Sequence, residues 1–375
     1  MIPQSEQDII NSNIKNFIYE IDWLTQDENV IDNVNIDVIN GSVNFDDSNN
    51  NKRSVNLTLS NLNKQYLPFE SNKMQINNKV RLKCGYKYSN NQKLLYNQGV
   101  YVLGNPSLLS APSQKEVTFE LLDKYVLIDG TISGTLKNQY IIPVGTQIDI
   151  AVKSIIVDII GETNYIVDEC TTLTPYTLTK NINDTISSIL IELCTMAGNY
   201  QVFYDNNGTL RFKKVITIED IDSSPTSYEY STISALYLQS SREVKWNDIR
   251  NSIVVYGAYD ETTGLQYKAT SQDSTGSKFS IDEIRERPKI FELDELYSNE
   301  LCQARSDYEL LKAIKAQEKV SLNLIPNFST NLNDVIQVTD VNNGVSGNYL
   351  IQSISYNLSF DSKMTLGLWK VRDIN

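Results

Sequence analysis

Residues Asn183–Lys214 read NDTISSILIELCTMAGNYQVFYDNNGTLRFKK. Ile186, Ile189, Leu190, Leu193 and Ala197 recur at the i, i+3, i+4, i+7, i+11 spacing that lines one face of a helix. The spacing predicts a helix started by Asn183 or Asp184 as N-cap and stopped by Gly198 in a left-handed conformation. Gln201–Tyr204 and Thr209–Lys213 then read as two strands paired across Asp205–Gly208, with Gly208 supplying the positive φ of a tight hairpin. Such a unit is a packing module: a helix laid on a hairpin, with no obvious chemistry in it.

The flanks are strand-rich. Up to about residue 130 the strand candidates are Lys15–Asp22, Val34–Ile39, Arg53–Leu62, Lys79–Tyr88, Gln98–Leu103 and Glu116–Leu122. Val55, Leu57 and Leu59 share one parity, as do Val80, Leu82 and Cys84, and Val117, Phe119 and Leu121. Period two implies one buried and one wetted face, and several such strands between Asn/Gly/Ser turns imply a sandwich or barrel. Between about 131 and 240 helices enter. Thr146–Ile160 reads as a helix with Thr146 and Asp149 at capping-box spacing and Gly161 at its end, followed by the helix–hairpin unit. After about 241 strands return at Ser252–Gly257, Lys319–Leu324, Asp334–Thr339, Tyr349–Phe360 and Met364–Lys370. One long helix, about Glu292–Gln317, interrupts them, with Tyr297, Leu301, Ala304, Tyr308, Leu311 and Ile314 on one side. It either bridges subunits or packs one face on its own barrel. The expected class is therefore β-rich α+β: an N-terminal extension (1–13), a first β unit (14–130), an α+β domain (131–240) and a second β unit with the inserted helix (241–375).

Composition removes several chemistries. The 375 residues contain no histidine, the commonest general base and transition-metal ligand. Net charge is −13, which repels nucleic-acid phosphates and anionic lipid, so neither nucleic-acid binding nor membrane insertion is expected. The densest basic groups, Lys52-Arg53, Lys213-Lys214 and Arg285–Lys289, are expected to be solvated surface charge. Cys84, Cys170, Cys194 and Cys302 show no metal or redox spacing and read as buried free thiols. MIPQSEQDIINSN is polar and acidic, unlike a signal peptide, and no apolar run approaches the ~20 residues of a membrane helix.

The order of motifs carries a resemblance. NLTLSNLNKQYLP is followed by INNKVRLKCGY, GVYVLGNPSL, VTFELLDKYVLIDGTISGTL, a helix after PVGTQI, and PYTLTKNINDTISSILIELCTMAGNYQVFYDNNGTLRF. NDIRNSIVVYGA and NDVIQVTDVNNGVSGNYLIQSISYNLSFDSKMTLGLWK close the chain. Over roughly residues 30–371 this resembles the central hub protein of phage tail baseplates, in contractile tails and phage-tail-like bacteriocins of Gram-positive bacteria. The resemblance implies a non-enzymatic homotrimer in which two tail-tube-like β-barrels per chain flank a small α+β domain. Three chains then imitate a six-fold ring between the tail tube protein and a three-fold spike protein, with baseplate wedge proteins and the tape-measure protein as further partners. It implies synthesis in the bacterial cytoplasm and assembly into a virion tail baseplate or tail-like particle. The chain ends at Asn375 just after the last strand, so spike or lytic activity is expected on another polypeptide.

Three chemical readings compete with that one. Asp46-Asp47, Glu219-Asp220-Asp222 and Asp282-Glu283 are dense carboxylates that a wall-cleaving glycosidase could use, if two lay ~5–10 Å apart across a cleft. Asp46–Asn51 (DDSNNN) offers oxygen ligands but lacks the glycine and terminal glutamate of a calcium loop. Tyr86, Tyr88, Tyr228, Tyr230 and Tyr349, with Trp23, Trp246 and Trp369, could stack on carbohydrate; their strand positions favour packing or subunit contacts. No catalytic, cofactor-binding or metal residue is therefore expected.

Overall fold

A computed structural model of the chain describes residues 4–12, 16–34, 38–88, 91–215, 226–260, 262–274, 278–315, 318–359 and 361–370. The alternating strands form as their parity demands. Val55, Leu57, Leu59, Val80, Leu82, Cys84, Val117 and Leu121 are all fully buried. What they build is a single 14-stranded sheet rather than two separate ones. In hydrogen-bonding order its main path runs Tyr237–Val244, Glu318–Leu324, Met364–Lys370, Val345–Asn357, Val38–Asp46, Arg53–Ser60, Gln114–Asp123, Lys93–Leu103, Lys79–Lys87, Asn16–Leu24, Val30–Val34.

The join lies on Val345–Asn357, a strand of 13 residues. Val345–Leu350 pairs with Val335–Asp340, and Ser353–Asn357 then pairs with Ser42–Asp46. A strand from each end of the chain is thus stitched to the other, antiparallel, with Ile354 opposite Phe45. One hydrophobic core runs beneath both halves, from Ile10 and Phe17 to Leu366 and Leu368. The two expected barrels therefore appear as two strand groups sharing a sheet and a core. Neither group closes: among the described residues Val30–Val34 pairs only with Asn16–Leu24, and Tyr237–Val244 only with Glu318–Leu324. Several expected boundaries move. Tyr228–Ser231 and Tyr237–Val244 belong to the large sheet, because Tyr228 and Tyr230 alternate into its core. The expected strand Val34–Ile39 is the end of one strand and the start of another, with residues 35–37 outside the described set.

The middle unit has its own core. Helix Ile186–Ala197 forms as expected, but its N-cap is Thr185, whose hydroxyl accepts from the Ser188 amide. Asn183, at φ 75°, belongs to the turn before it, and the Asp184 carboxylate turns back to the Asn181 amide. Gly198 ends the helix at φ 87°. The hairpin is Tyr200–Tyr204 with Leu210–Lys214, and Gly208 has φ 73°. The other helix starts at Ile148, so Thr146 is not its cap; its hydroxyl donates to the Pro143 carbonyl at 2.7 Å. That helix widens into a π turn over Ile155–Ile160 and stops at left-handed Gly161.

Ser252–Tyr259 does not join the large sheet. It pairs with Gln266–Gln272 and Pro288–Glu292 in a separate three-stranded sheet. Glu292 ends that strand and turns fill residues 293–298, so the long helix starts later than expected and is described over Asn299–Lys315. It packs on its own sheet through Cys302, Leu310 and Ala313. Its other side meets the middle unit of the same chain, where a Cβ on Gly198 would lie 3.2 Å from that of Ala304.

Candidate functional site

Three seams hold the molecule together, and they are its most distinctive chemistry. The first is the sheet join already described. The second is an aromatic plug. Phe328 sits in the loop after Glu318–Leu324 and is 1% exposed. Its ring meets Phe17 at 5.8 Å, Tyr86 at 5.4 Å and Tyr356 at 5.4 Å. Polar groups lock the loop. Tyr86 Oη donates to the Pro326 carbonyl at 2.8 Å and accepts from the Phe328 amide at 3.2 Å. Gln98 donates to the Phe328 carbonyl at 3.0 Å, and Tyr356 Oη donates to Gln98 Oε1 at 3.0 Å. A loop of the C-terminal half is therefore a core element of the N-terminal half.

The third seam is charged and buried. Lys52 and Arg53, expected on the surface, are 3% and 6% exposed. Arg53 stands at the inward parity of Val55 and Leu57, opposite the end of strand Gln114–Asp123. Its guanidinium bonds the Tyr204 carbonyl and donates to Asn206 Oδ1 at 2.6 Å, clasping the hairpin turn. Asp123 lies 3.8 Å away as counter-charge. Lys124, fully buried, pairs with Glu28 at 2.6 Å and Glu162 at 2.7 Å, and donates to the Gly208 carbonyl at 3.0 Å. Lys52 pairs with Asp47 and covers the Phe203 ring at 4.2 Å. Burial opposes ionisation of Glu28, yet Lys124 and Lys79 hold its pKa below the ordinary carboxylate value. Burial lowers the Lys52 pKa, with Asp47 pulling back.

Asp123 behaves differently. Burial pushes it up to about 6, against the pull of Arg53 and Lys124. A folded pKa above the unfolded one means the native state holds its proton longer. That contribution to stability is present below about pH 4 and lost as pH rises through about 6. Asp123→Asn is expected to remove about 2–3 kcal/mol of stability change between those limits, leaving the share of Asp334, which burial also raises to about 6. Urea unfolding midpoints across pH 4–7 check this; an unchanged slope contradicts it.

Asp46 accepts from the Ser48 amide and Asp47 is held by Lys52 and Asn333. Asp282 and Glu283 are exposed on the short helix Ile281–Ile284. Glu219, Asp220 and Asp222 lie outside the described residues. Tyr86, Tyr228, Tyr230 and Tyr349 are buried, with Tyr228 and Tyr230 stacked at 5.2 Å. Trp23 is fully buried, Trp369 is half-buried and Trp246 is 71% exposed. All four cysteines are free and buried. Among the described residues no cluster of three or more Cys, Asp or Glu is placed to hold a metal ion.

The fold as a whole is similar to that of solved structures. A tail protein from Neisseria meningitidis superposes with a TM-score of 0.65 at 10% identity, over 94% of this chain and 96% of that one. The chain has the fold of phage tail proteins. The 43 kDa tail protein of prophage MuSo2 from Shewanella oneidensis gives 0.62 at 12% identity, over 95% and 98%. A chain of the Francisella PdpA-VgrG complex gives 0.57 at 11% identity, over 99% of this chain and 55% of that one. Residues 276–373 match a family described as a domain of unknown function, DUF5048. No curated protein matches the chain in sequence.

Proposed function

We propose that this protein is a structural baseplate hub of a contractile phage tail or phage-tail-like particle. Three copies form a ring that adapts a six-fold tail tube to a three-fold spike. The observation that carries this reading is the pairing of Val38–Asp46 with Val345–Asn357, which joins the two strand groups in one sheet. Three such chains offer six strand groups around an axis, and head-to-tail contacts whose rotation closes generate such a ring. The tail-protein fold and the neighbour from a complex that includes VgrG support a tail tube above and a spike below, with wedge and tape-measure proteins as further partners. On this reading the protein is made in the bacterial cytoplasm, works in the assembled tail, and is not an enzyme.

Surface chemistry fits subunit contacts. Leu62, Phe69 and Ile76, on the loop after Arg53–Ser60, are 64%, 72% and 74% exposed. Leu108 and Leu109, on the neighbouring hairpin, are also exposed. On this reading such side chains are covered at the contacts between chains. A net charge of −13 keeps phosphates from adhering to a ring through which DNA or protein passes. Sedimentation equilibrium of the purified protein, alone and with its spike partner, tests the proposal. A mass of three times the 42.6 kDa chain is expected under at least one of these conditions. A strict monomer in both would overturn it.

A further inference from the structure

The hairpin Tyr200–Tyr204/Leu210–Lys214 has two unlike faces. Val202, Tyr204, Leu210 and Phe212 are buried in the middle unit's core. The register pairs Gln201 with Lys213 and Phe203 with Arg211, which puts these four on the opposite face. That face floors a cavity of about 630 Å³. One wall comes from the joined sheet, with Gln352 and Trp369, and its loops, with Lys52 and Leu332; the other comes from helix Asn299–Lys315, with Arg305, Tyr308, Leu311 and Lys312. Seven lysine and arginine side chains line it against three aspartates, in a chain whose net charge is −13.

Some of those cations are already committed. Lys52 is held by Asp47, Arg53 by the hairpin turn and Arg211 by Asp205 at 2.9 Å. Others are not. Among the described residues Lys213, Lys214 and Lys312 make no ion pair, and all three are exposed. Lys312 stands 4.9 Å over the Tyr308 ring, and Arg305 lies against the same ring at 5.4 Å. Arg305 pairs with Glu309 through Nη2, but its Nε is buried without a hydrogen-bond partner among the described residues. Cations left unneutralised along a concave wall favour an anionic occupant, because the low-dielectric walls focus the field.

We propose that this cavity binds an acidic, extended segment of a partner polypeptide. The remaining lining decides between peptide and phosphate polymer. Gln201 uses its carbonyl oxygen on Lys52 at 3.2 Å, which leaves its amide N–H donors for a peptide carbonyl. Gln352 adds a second carboxamide to the lining. Phe203, Leu311, Leu332 and Trp369 supply apolar contact between the charges. A polyphosphate would satisfy the cations and leave the carboxamides and apolar side chains unmatched; an acidic peptide engages all three. The inference rests on the cavity itself and stands apart from the hub reading.

The test uses the full chain and a fluorescein-labelled decapeptide of alternating glutamate and leucine, followed by fluorescence anisotropy at about 50 mM salt. Saturable binding is expected, weakened at least about tenfold in Lys213→Glu/Lys312→Glu and also weakened on raising salt to about 300 mM. Lys115→Glu, an exposed charge outside the cavity, is expected to leave binding unchanged. Equal thermal unfolding transitions for the three proteins exclude misfolding, since the substituted side chains are exposed. Absence of saturable binding, equal loss in Lys115→Glu, or retention in the double variant would overturn the proposal. So would displacement of the peptide by inorganic polyphosphate at about tenfold lower concentration of charge.

Discussion

Phe328→Ala is expected to lower the unfolding free energy by about 3–5 kcal/mol, the usual cost of emptying a buried phenylalanine site. The ring is 1% exposed and wedged among Phe17, Tyr86 and Tyr356, so little around it can collapse into the space. Aromatic partners on three sides add edge-to-face attraction beyond the area buried. The loss falls on the contact between the two ends of the chain, since Phe17 and Tyr86 come from one strand group and Phe328 from the other. Phe328→Leu keeps most of the volume and is expected to cost only about 1–1.5 kcal/mol. Guanidinium unfolding followed by tyrosine and tryptophan fluorescence measures both. A loss under about 1 kcal/mol for the alanine variant would mean that the two halves do not depend on this plug.

Arg53→Met is the second large effect, also about 3–5 kcal/mol. Methionine fills much of the arginine stem but leaves Asp123 as an unpaired buried charge and the Tyr204 carbonyl and Asn206 without their donor. Breaking one side of a buried pair costs more than removing both. Arg53→Met/Asp123→Leu is therefore expected to recover more than half of the loss. Hydrogen exchange should localise the damage to residues 200–214, where the clasp acts. Equal stability of the single and double variants would contradict the assignment of the cost to the stranded carboxylate.

The strands and the helix–hairpin unit were legible because each encodes its own period. Ile186, Ile189, Leu190 and Leu193 are buried as their spacing requires. The seams were harder for different physical reasons. Arg53 and Asp123 carried a signal, because each shares the inward parity of its strand's apolar residues, yet a charged side chain is usually solvated. Phe328 carried none: its loop has no period, and nothing local says that an aromatic ring there crosses to the other half. The Val38–Asp46 to Val345–Asn357 pairing is invisible for another reason. Alternation fixes which face of a strand is buried but not which partner lies along its edge. The long helix starts later than expected because Glu292 ends a strand paired to Tyr256 and turns fill residues 293–298, so the helical stripe is real only from Leu301 onward.

Electron microscopy of the protein assembled with its spike partner tests the central claim most directly. Class averages down the axis are expected to show a closed ring of three chains with six strand-rich lobes around a lumen, alternate lobes being equivalent. Six separate chains in the ring, or three chains presenting only three lobes, would contradict it.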